Sequence, residues 1–272
     1  MELSAIIESA EKQYKQILED FFAAYYDEVE LPSHGLDHHR RVWTYARELV
    51  GIIPLESVKL PALIPGLLIA SYLHDIGMTI DCGVKHGRHS REMCSRFLRQ
   101  NNLKKHDFTD VLDAIENHDN KDYSGNTAIN DLLNILSISD DLDAFGITGI
   151  YRYAEIYLTR RVTFKDLGFS IIKNAEKRFG NFLNAKGLNE EFIKKHTLRY
   201  NVLKDFYKRY NAQLASYTFG SANPSGYCGV IELIADITAN RIELKNYYKM
   251  VLYSHSDPIM TRFFFKLKKE LI

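Results

Sequence analysis

The chain has 272 residues, and its 35 Lys plus Arg balance 35 Asp plus Glu, so bulk charge gives no reason for non-specific binding to nucleic acid or to an anionic membrane. Hydrophobic residues make up 46%, and the length suffices for a sizeable core, as one all-helical unit or a core with an extension. Three cysteines, Cys82, Cys94 and Cys228, are odd in number and form no CxxC pair, which speaks against a disulfide scaffold or zinc ribbon and for a reducing compartment.

From Leu3 to Val29, apolar residues recur at helical spacing (Ile6, Ile7, Tyr14, Ile17, Leu18, Phe21, Phe22, Tyr25), which predicts one amphipathic helix. Glu8 and Glu11 precede any long apolar run, the wrong order for a signal peptide. Pro32 stops the helix, Ser33 is a candidate N-cap, and a second helix is expected from about His34 to Val50. On it, His34 and His38 lie four apart on one face, with Arg41 three beyond His38. Spacing alone reads equally as a polar helix edge or as part of a site.

Pro54, Pro61 and Pro65 are expected to break the chain before a buried helix ending in Ser71-Tyr72-Leu73-His74-Asp75-Ile76-Gly77. The apolar stretch from Leu60 to Leu73 is shorter than the ~20 residues of a membrane span, so no membrane partner and a cytoplasmic location are expected. Neighbouring side chains on a helix diverge by about a third of a turn. His74 and Asp75 can therefore grip one ion only from a helix terminus or from opposite sides of it, and Gly77 supplies a terminus.

A loop with Asp81, Gly83 and Lys85 leads to His86-Gly87-Arg88-His89-Ser90 and a helix with Met93, Phe97 and Leu98 inside. His86 can point back into a site, whereas His89 and Ser90 read as capping groups. Asp107 is a candidate N-cap for a helix that buries Val111, Leu112 and Ile115 and closes in Glu116-Asn117-His118-Asp119. After a turn-rich loop from Asn120 to Asn126, a helix from near Thr127 runs into Ser139-Asp140-Asp141-Leu142-Asp143. Three carboxylates following an apolar run must be exposed, paired or bound to a cation. Asp140 and Asp143 share a face, while Asp141 turns away and is expected in solvent. Beyond residue 150, helical patterning recurs at about 151–158, 171–182, 192–217, 229–253 and 258–271, without a comparable cluster.

His38, His74-Asp75, His118 and Asp140 fall at the ends or inner faces of successive helices, the order by which a bundle converges distant side chains on one centre. Mixed imidazole and carboxylate ligands suit Mn, Fe, Co, Ni, Zn or Mg better than Ca, and the lack of cysteine speaks against structural zinc. The sequence resembles the HD-domain superfamily of metal-dependent phosphohydrolases. The resemblance rests on His38-x-x-Arg41-Val42, His74-Asp75-Ile76-Gly77, His86-x-x-x-Ser90, Ile115-x-x-His118 and Ser139-Asp140-x-Leu142-Asp143-Ala144-Phe145-Gly146, continuing into Gly149-Ile150-x-Arg152. It spans roughly residues 30 to 160.

The resemblance implies an all-α HD-domain helical bundle over residues 1–160. The helical patterning beyond it reads as a C-terminal extension over 161–272 packed on that core, a lid or an oligomerisation surface, which leaves a homo-oligomer open. It implies a divalent metal ion (Mn, Mg, Co, Ni, Fe or Zn) on His38, His74, Asp75 and Asp140. His86 and His118 are candidates for a second metal or for the general acid, and Asp75 for orienting a water. The implied activity is hydrolysis of a phosphate ester or anhydride in a nucleotide or another small phosphorylated metabolite. Arg41, Lys85 and Arg152 are the cations placed near its phosphate, and Asp143 is grouped with them behind Asp140. Two departures bear on the substrate: Asp141 stands where the family usually has an arginine, and the chain runs well past the usual compact domain. The alternatives are a di-iron oxygenase on the same scaffold and a non-catalytic nucleotide-binding regulatory module; the complete ligand set speaks against the latter.

Overall fold

The computed structural model describes residues 2–25, 32–54, 59–83, 85–120, 131–240 and 257–271. Among these the chain is helical with no strand, as the all-α expectation requires. The helices are α1 (Leu3–Ala23), α2 (Leu36–Ile52), α3 (Leu60–Leu73), α4 (His86–Gln100), α5 (Thr109–Asn117), α6 (Leu132–Asp143), α7 (Gly146–Thr159), α8 (Phe164–Asn184), α9 (Glu190–Gln213), α10 (Gly226–Asn240) and α11 (Pro258–Leu271). The expected end of the first helix at Val29, the loop at 121–126, the helix start near Thr127 and the stretch 241–253 lie outside the described residues.

The chain divides into two compact units. One comprises Met1–Glu30, His34–Leu142 and Gly180–Glu190, the other Leu31–Ser33, Asp143–Phe179 and Glu191–Ile272. The first is built around α3, on which α1, α2 and α5 pack. From Gly66 to Leu73 every residue of α3 is buried, so this helix has no polar face and must lie inside. Each of Leu67, Leu68, Ile69 and Leu73, all fully buried, contributes roughly 1.5–3 kcal/mol of burial. Leu60–Thr79 is long and apolar enough to cross a membrane by length and composition, yet 72% of its 18-residue apolar window is buried, as in a core helix.

Several local expectations are corrected. Pro61 and Pro65 do not precede α3 but lie within it. Pro61 falls in the first turn, where its missing N–H had no intrahelical partner to lose. Ser33 sits in a short 3₁₀ turn (Pro32–His34), and α2 is capped instead by the backbone of Gly35. Asp107 likewise lies in a 3₁₀ turn, and Phe108 occupies the N-cap of α5.

In the second unit, α7, α10 and α11 pack on one another. The helix α7 begins at Gly146, whose φ of 77° favours glycine. There the Glu270 carboxylate accepts from the Thr148 N–H (3.0 Å) and Oγ1 (3.1 Å), placing an anion where the helix dipole is positive. Tyr207 donates to the Ile150 carbonyl at 2.8 Å, and the α9 aromatic Tyr200 stacks on Phe179 with ring centroids 4.0 Å apart.

Candidate metal centre

The end of α3 resolves how two adjacent residues face one point. His74 keeps helical dihedrals (φ −61°, ψ −36°), whereas Asp75 leaves the helix at φ −107°, ψ 5°, the sparsely populated bridge region where many active-site residues sit. That one-residue change of direction undoes the divergence a continuing helix would impose. Gly77, expected to supply the helix terminus, lies beyond the C-cap His74, in the 3₁₀ turn Ile76–Thr79. Its lack of a side chain is needed for close approach, because a Cβ there would overlap the His86 carbonyl and the Ser90 backbone nitrogen of α4. Its N–H donates to Ser90 Oγ at 2.8 Å, clamping the turn to the helix that carries His86.

Asp75 is the hub. Its Oδ2 lies 3.4 Å from His38 Nε2 and 3.5 Å from His74 Nε2, while its Oδ1 lies 3.0 Å from His118 Nε2 and 3.5 Å from His86 Nε2. Asp140 Oδ1 adds a second carboxylate, 3.8 Å from His38 Nε2 and 3.9 Å from His74 Nε2. Donor atoms of His38, His74, Asp75 and Asp140 all fall within 4.8 Å of one another, and so do those of Asp75, His86 and His118; every one of these residues is buried. Asp75 belongs to both groups.

The backbone orients the rings. His74 Nδ1 pairs with the Ser71 carbonyl at 3.1 Å, His118 Nδ1 with Ile115 at 2.7 Å and His86 Nδ1 with Gly83 at 2.7 Å, each carbonyl lying three residues back. A carbonyl only accepts, so Nδ1 holds the proton in each ring. Nε2 is then the ligating nitrogen, and a fixed tautomer of this kind is what a metal-binding histidine needs.

The centre fits a cation on chemical grounds. His38 Nε2 and His74 Nε2 face each other at 3.2 Å, a contact that needs a proton or a cation between them. Burial pushes His74 down to about 3 against the pull of Asp75, and burial with His38 and His74 alongside holds His39 well below the usual histidine value, so both are neutral at pH 7. Burial opposes ionisation of Asp75, but hydrogen bonds from His118 and His38 outweigh it and hold the carboxyl well below its usual range. Burial also works against His118, yet the Asp75 hydrogen bond raises it above the ordinary value. A metal bound here therefore displaces a proton. No thiol belongs to either group, and burial raises Cys94 and Cys228 to about 12, far from the thiolate.

The remaining site candidates are placed as follows. Arg41 is half-buried on α2 and Lys85 is exposed at the N-cap of α4, both in the first unit. Asp143 and Arg152 are buried in the second unit and pair with each other, Nη1 to Oδ2, at 2.9 Å. Asp141, expected in solvent, is fully buried, with Asn181 Nδ2 3.4 Å from its Oδ2. The helix that carries it is covered by a segment 40 residues on, which local spacing does not reveal.

Two contributors were not singled out from the sequence. His39 is fully buried behind the centre, its ring centroid 5.1 Å from both His38 and His74 and its Nδ1 3.3 Å from the Ser71 carbonyl. Asp119 approaches His86 Nε2 at 3.9 Å. Only the neighbouring histidines in the chain hinted at either.

Residues 35–144, which contain all the candidate ligands, match the HD domain family. A crystal structure of a Lactobacillus plantarum protein, solved as a structural genomics target, is similar with a TM-score of 0.50 at 20% identity, covering 74% of this chain and 98% of that one. At that identity it speaks for the fold alone. No curated protein is detectably similar in sequence.

Proposed function

We infer from its place in the HD-domain superfamily, through residues 35–144, that this chain is a metal-dependent phosphohydrolase acting on a nucleotide or another small phosphorylated metabolite. The observation that supports this most is the single carboxylate of Asp75 held between four imidazole Nε2 atoms at 3.0–3.5 Å, with Asp140 beside two of them. When bound, a divalent ion supplies Lewis acidity and a water whose pKa falls to about 7.

The residues divide the work by their surroundings. His38, His74, Asp75 and Asp140 would hold the ion, with the Ser71 carbonyl keeping the lone pair of His74 on the Nε2 side. Asp75 is the orienting base for the attacking water because its carboxyl stays ionised. His118, whose proton is shared with Asp75 Oδ1, and His86 would protonate the leaving oxygen or, with Asp75, hold a second ion. Arg41 and Lys85 would meet substrate phosphate. Arg152 is engaged by Asp143, so the proposal leans on the first two for charge. Burial of the centre keeps bulk water from competing for these groups.

The experiment is metal analysis of the purified protein, joined to a phosphate and pyrophosphate release screen over nucleotides with manganese, magnesium or cobalt added. Release that disappears in the His74→Ala protein supports the reading. Unchanged metal content and release in both Asp75→Ala and Asp140→Ala overturns it. The second group, Asp75, His86 and His118, keeps one other chemistry in view, a di-iron oxygenase, which two irons per chain and oxygen uptake without phosphate release would favour.

A further inference from the structure

The second unit contains an open cleft of about 510 Å³, within the size range of small-molecule sites. Its floor is apolar: Ile150 is fully buried, and Phe206 and Phe263, 7% and 4% exposed, lie with ring centroids 5.5 Å apart. Tyr227 closes one side, edge-on to Phe206 at 5.3 Å. The rim is cationic. Arg209, Arg262 and Lys266 line it and are exposed, against one acid, Asp205. Arg209 lies over the Tyr227 ring at 5.9 Å, and among the described residues none of the three cations makes an ion pair.

In a chain of zero net charge, three exposed cations against one acid around one apolar cleft are, among the described residues, an asymmetry with a chemical meaning. The floor removes an apolar body from water, while two guanidiniums and an ammonium at the mouth meet a phosphate or carboxylate, the planar guanidiniums in bidentate fashion. The side chains of α9 continue the apolar track outward, because Val202, 41% exposed, lines the cleft and Leu198, 60% exposed, lies one turn before it.

We propose that the cleft between Phe206, Tyr227 and Phe263 is a binding site for a small amphipathic anion, with an aliphatic or aromatic body on the apolar floor and a phosphate or carboxylate head against Arg209, Arg262 and Lys266. It shares no residue with the His/Asp centre, and it does not depend on that centre's activity.

The test uses the full chain and two probes, octyl phosphate below its micelle-forming concentration and a fluorescent N-methylanthraniloyl-AMP, titrated by calorimetry and fluorescence at low and high salt. At least one probe is expected to bind, more weakly at high salt, and about tenfold or more weakly in the Arg262→Glu/Lys266→Glu protein, since hydrogen bonds to charged groups are lost. Both substitutions are at exposed positions, and an unchanged circular dichroism melt checks the fold. Binding of octyl phosphate alone supports an aliphatic body, and binding of the nucleotide alone an aromatic one. His74→Ala is expected to keep the affinity, which separates this site from the metal centre. The proposal is overturned if neither probe binds at about 1 mM, if octanol binds as well as octyl phosphate, or if the charge-reversed protein binds as tightly as the wild type.

Discussion

Replacing Asp75 by Asn perturbs the centre most selectively, because it keeps the side-chain shape and removes only the charge shared by four imidazole nitrogens at 3.0–3.5 Å. Without an ion the change still costs stability, because the site holds the carboxyl ionised well below its usual range and the amide keeps the shape but not that charge. With an ion it removes the one carboxylate common to both ligand groups. A ligand that binds only the folded state stabilises it by RT ln(1 + [L]/Kd), about 2.7 kcal/mol at a hundredfold excess over Kd. At roughly 2–4 °C per kcal/mol, that raises the melting midpoint of a chain this size by about 5–10 °C. Thermal melts of chelator-treated protein with and without manganese should show this rise in the wild type. Asp75→Asn and Asp140→Asn should show less than about 1 °C, each read against its own chelator-treated midpoint, which for Asp75→Asn lies below that of the wild type. A full manganese shift in Asp75→Asn would refute the reasoning.

Three further outcomes are expected. Gly77→Ala should cost about 1–3 kcal/mol or more by overpacking and should lower metal affinity, because the new Cβ meets the His86 carbonyl and moves that residue; urea melts and metal titration check both. Asp141→Arg, which introduces the residue usual at that position in the HD-domain proteins this sequence resembles, should cost more than about 3 kcal/mol and add no activity, because the site is fully buried; a stable, more active variant would contradict this. His196 is fully buried, and burial followed by the charges of Arg199 and Lys195 pushes it down to about 3, so its contribution to stability is complete above pH 6.5 and is lost as pH falls towards 3. His196→Gln should therefore flatten the loss of stability between pH 6.5 and 4, by at most about 1.4 kcal/mol per pH unit, in urea melts; an unchanged slope would show that another group titrates.

How much could be read beforehand depended on range. The helical class was legible because apolar spacing is a local property, and α11 begins and ends where its pattern does, at Pro258 and Leu271. Helix starts were read less well. Ser33 and Asp107 have the chemistry of caps but lie in 3₁₀ turns just ahead of the helices, and Pro61 and Pro65 punctuate a sequence without ending its helix.

The sequence by itself determined the kinds of groups available: imidazoles and carboxylates at the edges of apolar helical runs, no thiol ligand, and no net charge. Residue types and their order in the chain carry that information directly. Tertiary structure alone decided what each group meets. It buried Asp141 beside Asn181, paired Arg152 with Asp143, put His39 behind the metal centre, and returned Gly180–Glu190 to the first unit. It also made Asp75, one of seven residues in a short motif, the point on which four histidines converge, two on α2 and α4 and two at the C-caps of α3 and α5. Convergence of this kind is set by the angles at which packed helices end, and spacing along a single helix does not contain those angles.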